Sequence, residues 1–145
     1  MNSDSYKRFI IQPNDYFNAG SASSEIKKML RSMKLSPHLI KRISVAAYEA
    51  EINIVIHSYG GCVDFKRVNN TIYLQFSDTG PGIEDIELAM QPGYSTANET
   101  SRLNGFGAGM GLVNIKKSCD SMTLISDPNG TILKLQFHIT EETDG

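Results

Sequence analysis

The most constraining stretch of this chain is the run from Ile40 to His57. It is opened by Ser36-Pro37, an N-cap residue followed by proline at the first helical position, and closed near Tyr59 by Gly60-Gly61. The run is apolar over most of its circumference. Ile40, Ile43, Ala47, Ala50 and Ile54 form one stripe, and Val45, Ile52 and Ile56 add a second. A helix of this kind has to be covered on more than one side, so it belongs inside a layered fold. Glu49 and Asn53 fall between the stripes, within about 40° of each other at ~100° per residue. Glu51 projects about 200° from Asn53 and is expected on the more polar side with Lys41, Ser44 and Tyr48. Two readings of Glu49 and Asn53 stand level on the helix alone. They form a side-chain hydrogen bond on a half-exposed face, or they form a ligand site with Asn53 on Mg²⁺ and Glu49 as a general base.

The remaining elements supply the second layer. Tyr6 to Gln12 reads as a strand stopped by Pro13, and Ser23 to Met33 as an amphipathic helix on Ile26, Met29, Leu30 and Met33. Cys62–Arg67 and Asn70–Phe76 form a hairpin around Val68-Asn69-Asn70. A short helix is expected over Glu84–Met90, a loop over Gln91–Leu103 and a helix over Leu112–Asp120. Met122–Ser126 and Thr131–Ile139 are the last two strands, joined by Pro128-Asn129-Gly130. Leu133, Leu135 and Phe137 alternate with Lys134, Gln136 and His138, so one sheet face is wet. The expected architecture is α+β, a two-layer sandwich with a mixed β-sheet covered on one face by helices. At 145 residues it is expected to be a single domain, 1–145.

Bulk properties narrow the function classes. A net charge of −2 gives no field to recruit nucleic acid or an anionic membrane directly. No apolar run approaches a membrane span and the N-terminus is polar, which makes the cytoplasm the expected location. Cys62 and Cys119 have no metal-type spacing and read as reduced thiols.

Two further stretches carry chemistry. Asp78-Thr79-Gly80-Pro81-Gly82-Ile83 places a carboxylate at the end of a strand beside a glycine-thinned backbone. Taken alone this is turn chemistry. Asn104-Gly105-Phe106-Gly107-Ala108-Gly109-Met110-Gly111-Leu112 has four alternating glycines before a helix, an arrangement suited to phosphate. It is not a P-loop, because it has no lysine. It is not the dinucleotide pattern G-x-G-x-x-G either, since the required third glycine falls on Met110 or Leu112.

Taken in order, Glu49-x-x-x-Asn53, Asp78-x-Gly80-x-Gly82, Gly105-x-Gly107-x-Gly109-x-Gly111 and Gly130-Thr131 resemble the boxes of the Bergerat-fold ATPases of the GHKL superfamily. Within it, Tyr48–Tyr59, Asp85–Thr96 and Gly109–Leu112 are similar to stand-alone anti-sigma-factor serine kinases and the related stressosome switch kinase. The resemblance implies ATP and Mg²⁺ as ligands. It implies Asp78 on the adenine amino group with Thr131 in support, Gly80, Gly82 and Ile83 around the base, and Asn53 on Mg²⁺. It places Ser95 and Thr96 near phosphate, wraps Gly105, Phe106, Gly107, Ala108, Gly109, Met110, Gly111 and Leu112 around the phosphates, and makes Glu49 the catalytic base. The implied acceptor is a serine or threonine on a small STAS-type anti-sigma-factor antagonist, with a sigma factor or other regulator as a further partner and a homodimer left open. Two departures stand out. Ala108 precedes Gly109, where anti-sigma kinases can have arginine, and no lysine follows the Ser95-Thr96 pair. The competing reading is an ATP-dependent binding module that sequesters or activates a partner without phosphorylating it. A histidine kinase fragment fits poorly, because none of His38, His57 and His138 lies in a phosphoacceptor-type helix.

Overall fold

The computed structural model describes residues 4–80 and 111–140. Its elements run β1 (Ser5–Ile11), α1 (Ser21–Ser32), α2 (Pro37–His57), β2 (Gly61–Val68), β3 (Thr71–Thr79), α3 (Gly111–Ser118), β4 (Ser121–Asp127) and β5 (Gly130–His138). The five strands form one sheet in the order β1-β2-β3-β5-β4, and the helices cover one face. The chain is thus the α+β sandwich expected from the sequence.

The sheet is antiparallel throughout rather than mixed. A strand–helix–strand passage from β3 through α3 to β4 makes those two strands run in the same direction, as crossover logic requires. They are not neighbours, however. β5 returns through the Pro128-Asn129 turn and inserts between them, so each contact is with a strand of opposite direction.

The strand alternation sorts the two faces. Val63, Phe65, Ile72, Leu74, Leu135 and Phe137 point inward and are essentially solvent-free. Each such side chain contributes roughly 1.5–3 kcal/mol on burial. Lys134 and His138 face out, which is the wet face read from β5. Against the inner face lie α2 and α3, with α1 against α2, and Ile26, Leu30, Leu39, Ile43 and Ile115 fill the layer between. Ser36 caps α2 as expected: its Oγ accepts the Leu39 N–H at 3.1 Å.

Strand β3 runs three residues further than its apolar run suggested. It carries Ser77, Asp78 and Thr79 inside the ladder, so Asp78 sits at the end of the strand and is paired there. The stability of that extension comes from both neighbours. Asp78 pairs with Gly61 on β2 and Thr131 on β5.

Glu51 departs most from the sequence reading. It is not on a solvated face but buried, 2% exposed. Its carboxylate accepts the N–H groups of Gly20 at 2.9 Å, Ala22 at 3.3 Å and Ser23 at 2.9 Å. Helix α1 has no side-chain cap of its own, and Glu51 satisfies the donors at its N-terminus.

Candidate functional site

Two polar clusters stand at the C-terminal end of α2. The first is built by α2 and α3, which lie side by side in opposite directions. Arg42 Nε donates to the Ser118 carbonyl at 3.0 Å and its guanidinium pairs with Asp120 at 3.2 Å, anchoring the end of α3 low on α2. Further along, Asn114 Nδ2 donates to Glu49 Oε1 at 3.4 Å. The start of α3 then reaches Asn53. A Cβ added to Gly111 would stand 3.2 Å from Asn53 Oδ1, 3.3 Å from Asn53 Nδ2 and 3.5 Å from Glu49 Oε2. The approach is close enough that a side chain at this position would press on Asn53. It sets the first N–H groups of a helix beside an amide oxygen and a carboxylate, an arrangement that offers donors to phosphate and oxygen to a hard cation.

The second cluster surrounds Asp78. The Thr131 N–H donates to Asp78 Oδ1 at 3.1 Å, and the Thr131 hydroxyl shares a 2.8 Å hydrogen bond with Ser126 Oγ. Burial pushes the Asp78 carboxyl up to about 6, with the Thr131 N–H pulling the other way. Such a carboxylate is half-buried and, among the described residues, keeps lone pairs that can accept from a ligand donor. Glycine makes the packing possible. Gly130, at φ +153°, lies so close that a Cβ there would overlap the Asp78 carbonyl oxygen. The Gly80 N–H donates to the Asn129 carbonyl at 2.8 Å and fixes the exit of β3 against the β4–β5 turn. Backbone bonds between Tyr59 and Thr79 and between Thr79 and Gly60, both 3.1 Å, tie this strand end to the end of α2.

Of the residues singled out in the sequence, Glu49, Asn53 and Gly111 come together, and Asp78 and Thr131 come together. Leu112 packs its side chain into the core and can offer a ligand only its backbone. Gly82, Ile83, Ser95, Thr96 and the stretch from Gly105 through Phe106, Gly107, Ala108 and Gly109 to Met110 lie outside the described residues. Sequence reasoning missed Asn114 and Ser126. Asn114 falls three residues after Gly111, on the turn of α3 that faces Glu49, and Ser126 faces Thr131 by strand register. Both become visible only once the helix and strand pairings are known. Among the described residues no cluster of three or more His, Cys, Asp or Glu side chains could hold a metal by itself. The donor set fits Mg²⁺ carried by a nucleotide, which takes few protein ligands and completes its shell with phosphate and water. No helix among the described residues is long and apolar enough to cross a membrane.

Known proteins match this sequence. The family model described as "Histidine kinase-like ATPase domain" matches residues 13–137. The chain is similar to the protein named anti-sigma F factor in Thermoanaerobacter sp. (strain X514), 36% identical over 106 residues, covering 69% of this chain and 71% of that protein. It is 31% identical over 109 residues to the anti-sigma F factor of Bacillus velezensis, covering 70% and 71%. It is 28% identical over 109 residues to that of Bacillus subtilis, with the same coverage. With a family model that spans residues 13–137 and a relative 36% identical over 69% of its length, this chain belongs to the histidine kinase-like ATPase domain family, of GHKL type.

Proposed function

We propose that the chain is an ATP- and Mg²⁺-dependent protein serine/threonine kinase of the anti-sigma-factor type, working in a partner-switching pathway in the cytoplasm. Its substrate is a serine or threonine on a small STAS-type antagonist protein. A sigma factor or other regulator is the second partner. The observation that carries this is the placement of Glu49 and Asn53 against Gly111 at the start of α3, in a chain whose relatives are named anti-sigma F factor.

The roles follow from the atoms. Asp78 accepts a hydrogen bond from the adenine amino group, with Thr131 and Ser126 beside it. The phosphates lie toward the N-terminus of α3, where the first N–H groups of a helix and its dipole favour anions. Asn53 holds Mg²⁺, which when bound offsets charge on the phosphates. Glu49, steadied by Asn114, takes the proton of the acceptor hydroxyl. The hydroxyl oxygen then forms a bond to the γ-phosphorus as the bond from phosphorus to the bridging oxygen breaks, and ADP leaves.

Incubation with labelled ATP, Mg²⁺ and candidate antagonists tests this. Transfer of label that Glu49→Ala abolishes, with ATP affinity unchanged, is the expected result. The second reading, a binding module that uses ATP without phosphorylating, is favoured by Ala108 at a position where such kinases can have arginine. It requires partner binding that depends on ATP and survives Glu49→Ala, with no label transferred.

A further inference from the structure

A groove of about 720 Å³ runs between α1 and α2, and its lining includes Glu49. Its rim carries Lys27 and Arg31 from α1, one turn apart, and Lys41 from α2. All three are exposed, and none makes a salt bridge among the described residues. By contrast the neighbouring Lys28 pairs with Glu25. The chain as a whole is slightly acidic, so this concentration of cations is local and does not reflect composition. The floor is apolar. Ile40 lies at the bottom, Val45 and Tyr48 line the wall, and Tyr48 leaves 40% of its surface exposed. Ser44 Oγ, also in the lining, is buried with no hydrogen-bond partner among the described residues.

We infer that this groove docks an acidic, partly apolar segment of the protein partner and so steers the acceptor hydroxyl to Glu49. Three cations with no ion-pair partner among the described residues, set around an apolar floor, fit an amphipathic acidic segment, whose carboxylates meet the rim and whose apolar side chains cover Ile40 and Tyr48. Because the groove reaches Glu49, a segment seated in it enters the site from the side of the base. The steering role rests on the kinase reading above; the docking itself does not.

The test uses the intact chain and two short fluorescein-labelled peptides, one with Glu and Leu at helical spacing and one with Lys replacing Glu. Expected are amide NMR shifts at Lys27, Arg31, Ser44 and Tyr48 with the acidic peptide, and binding that weakens as NaCl is raised. The double variant Arg31→Glu/Lys41→Glu, altered only at exposed positions, should bind the acidic peptide roughly tenfold more weakly or worse while keeping native ATP affinity. Equal binding of both peptides, shifts confined to another surface, or native-like binding by the double variant overturns the docking site. So does self-association of the native chain that the double variant abolishes, since the groove is then covered by a second copy. Label transfer to an antagonist at the native rate in the double variant removes the steering role and leaves the kinase reading standing. Groove-dependent peptide binding by a chain that transfers no label to any antagonist does the reverse for the docking and the kinase readings.

Discussion

Asp78→Asn should stabilise the free protein while removing most of its affinity for ATP. The carboxyl has its folded pKa raised from 3.8 to about 6, chiefly by burial. A raised acid stabilises the fold when neutral. That contribution is fully present below the unfolded value, near 3.8, and is lost as pH rises through about 6. The displacement corresponds to about 3 kcal/mol favouring the neutral form, and solvent at a half-buried group screens roughly half of it. Asparagine is neutral at every pH, and its Oδ1 can keep the Thr131 N–H at the place that Asp78 Oδ1 holds now. The variant should therefore gain about 1.5 kcal/mol at pH 7, or roughly 5 °C in Tm, and the gain should shrink as pH falls toward 4. Against ATP the outcome inverts. The adenine amino group loses a charged acceptor, worth about 1.5–3 kcal/mol, so Kd should rise roughly 10- to 150-fold. Native affinity should also improve between pH 5 and 7 as Asp78 ionises, and this component should be missing from the variant. Urea unfolding followed by circular dichroism and calorimetric ATP titration across that range measure both halves. Native ATP affinity in the variant refutes the assignment of Asp78 to adenine. A loss of stability at pH 7 refutes the account of its pKa.

Two other substitutions probe the surrounding frame. Glu51→Gln removes the charge and at least one acceptor oxygen from three N–H donors at the start of α1, and should cost about 2–4 kcal/mol in urea unfolding at pH 7; a loss under about 0.5 kcal/mol contradicts the capping role. Gly111→Ala puts a methyl 3.2 Å from Asn53 Oδ1, so Asn53 has to move; stability should change by less than about 1 kcal/mol, because alanine suits a helix, while Mg²⁺-dependent ATP binding falls several-fold. Native-like Mg²⁺-dependent binding by Gly111→Ala contradicts the placement of Asn53.

What could be read from the sequence follows from how far apart the interacting groups lie in the chain. Ser36 and Pro37 act within one turn, so the start of α2 was plain. The alternation in β5 has period two and announced its own wet face. Glu51 could not be found this way. Its donors lie 28 to 31 residues earlier, on a helix whose own first residues include no cap. Projection around α2 groups Glu51 with Lys41, Ser44 and Tyr48 on the more polar side, but α1 packs across that side. It covers Glu51 and leaves the other three lining the groove. The sheet defeated expectation for a similar reason. A crossover fixes the direction of β4 relative to β3 but says nothing about which strand lies between them.

The positions of the two clusters also explain why the site residues appear in their particular order. Asp78 lies two residues before the point where Gly80 is held to Asn129, and Gly111 is the first residue of α3, set against Asn53. The carboxylate is therefore fixed by the sheet, through Thr131 and the paired backbone of β5. The Glu49–Asn53 cluster is fixed by helix against helix, through Asn114 and Arg42. Among the described residues the two clusters share no side-chain partner. Sites that share no partner respond additively to substitution. Combining Asp78→Asn with Gly111→Ala should thus give the sum of their separate stability changes within about 0.5 kcal/mol. Their effects on ATP binding should multiply in Kd, because one acts on the base and the other at the phosphates. Stability changes that failed to add would mean that the two clusters share a strained contact, and the picture of a sheet-held adenine end and a helix-held phosphate end would have to be replaced by a single coupled unit.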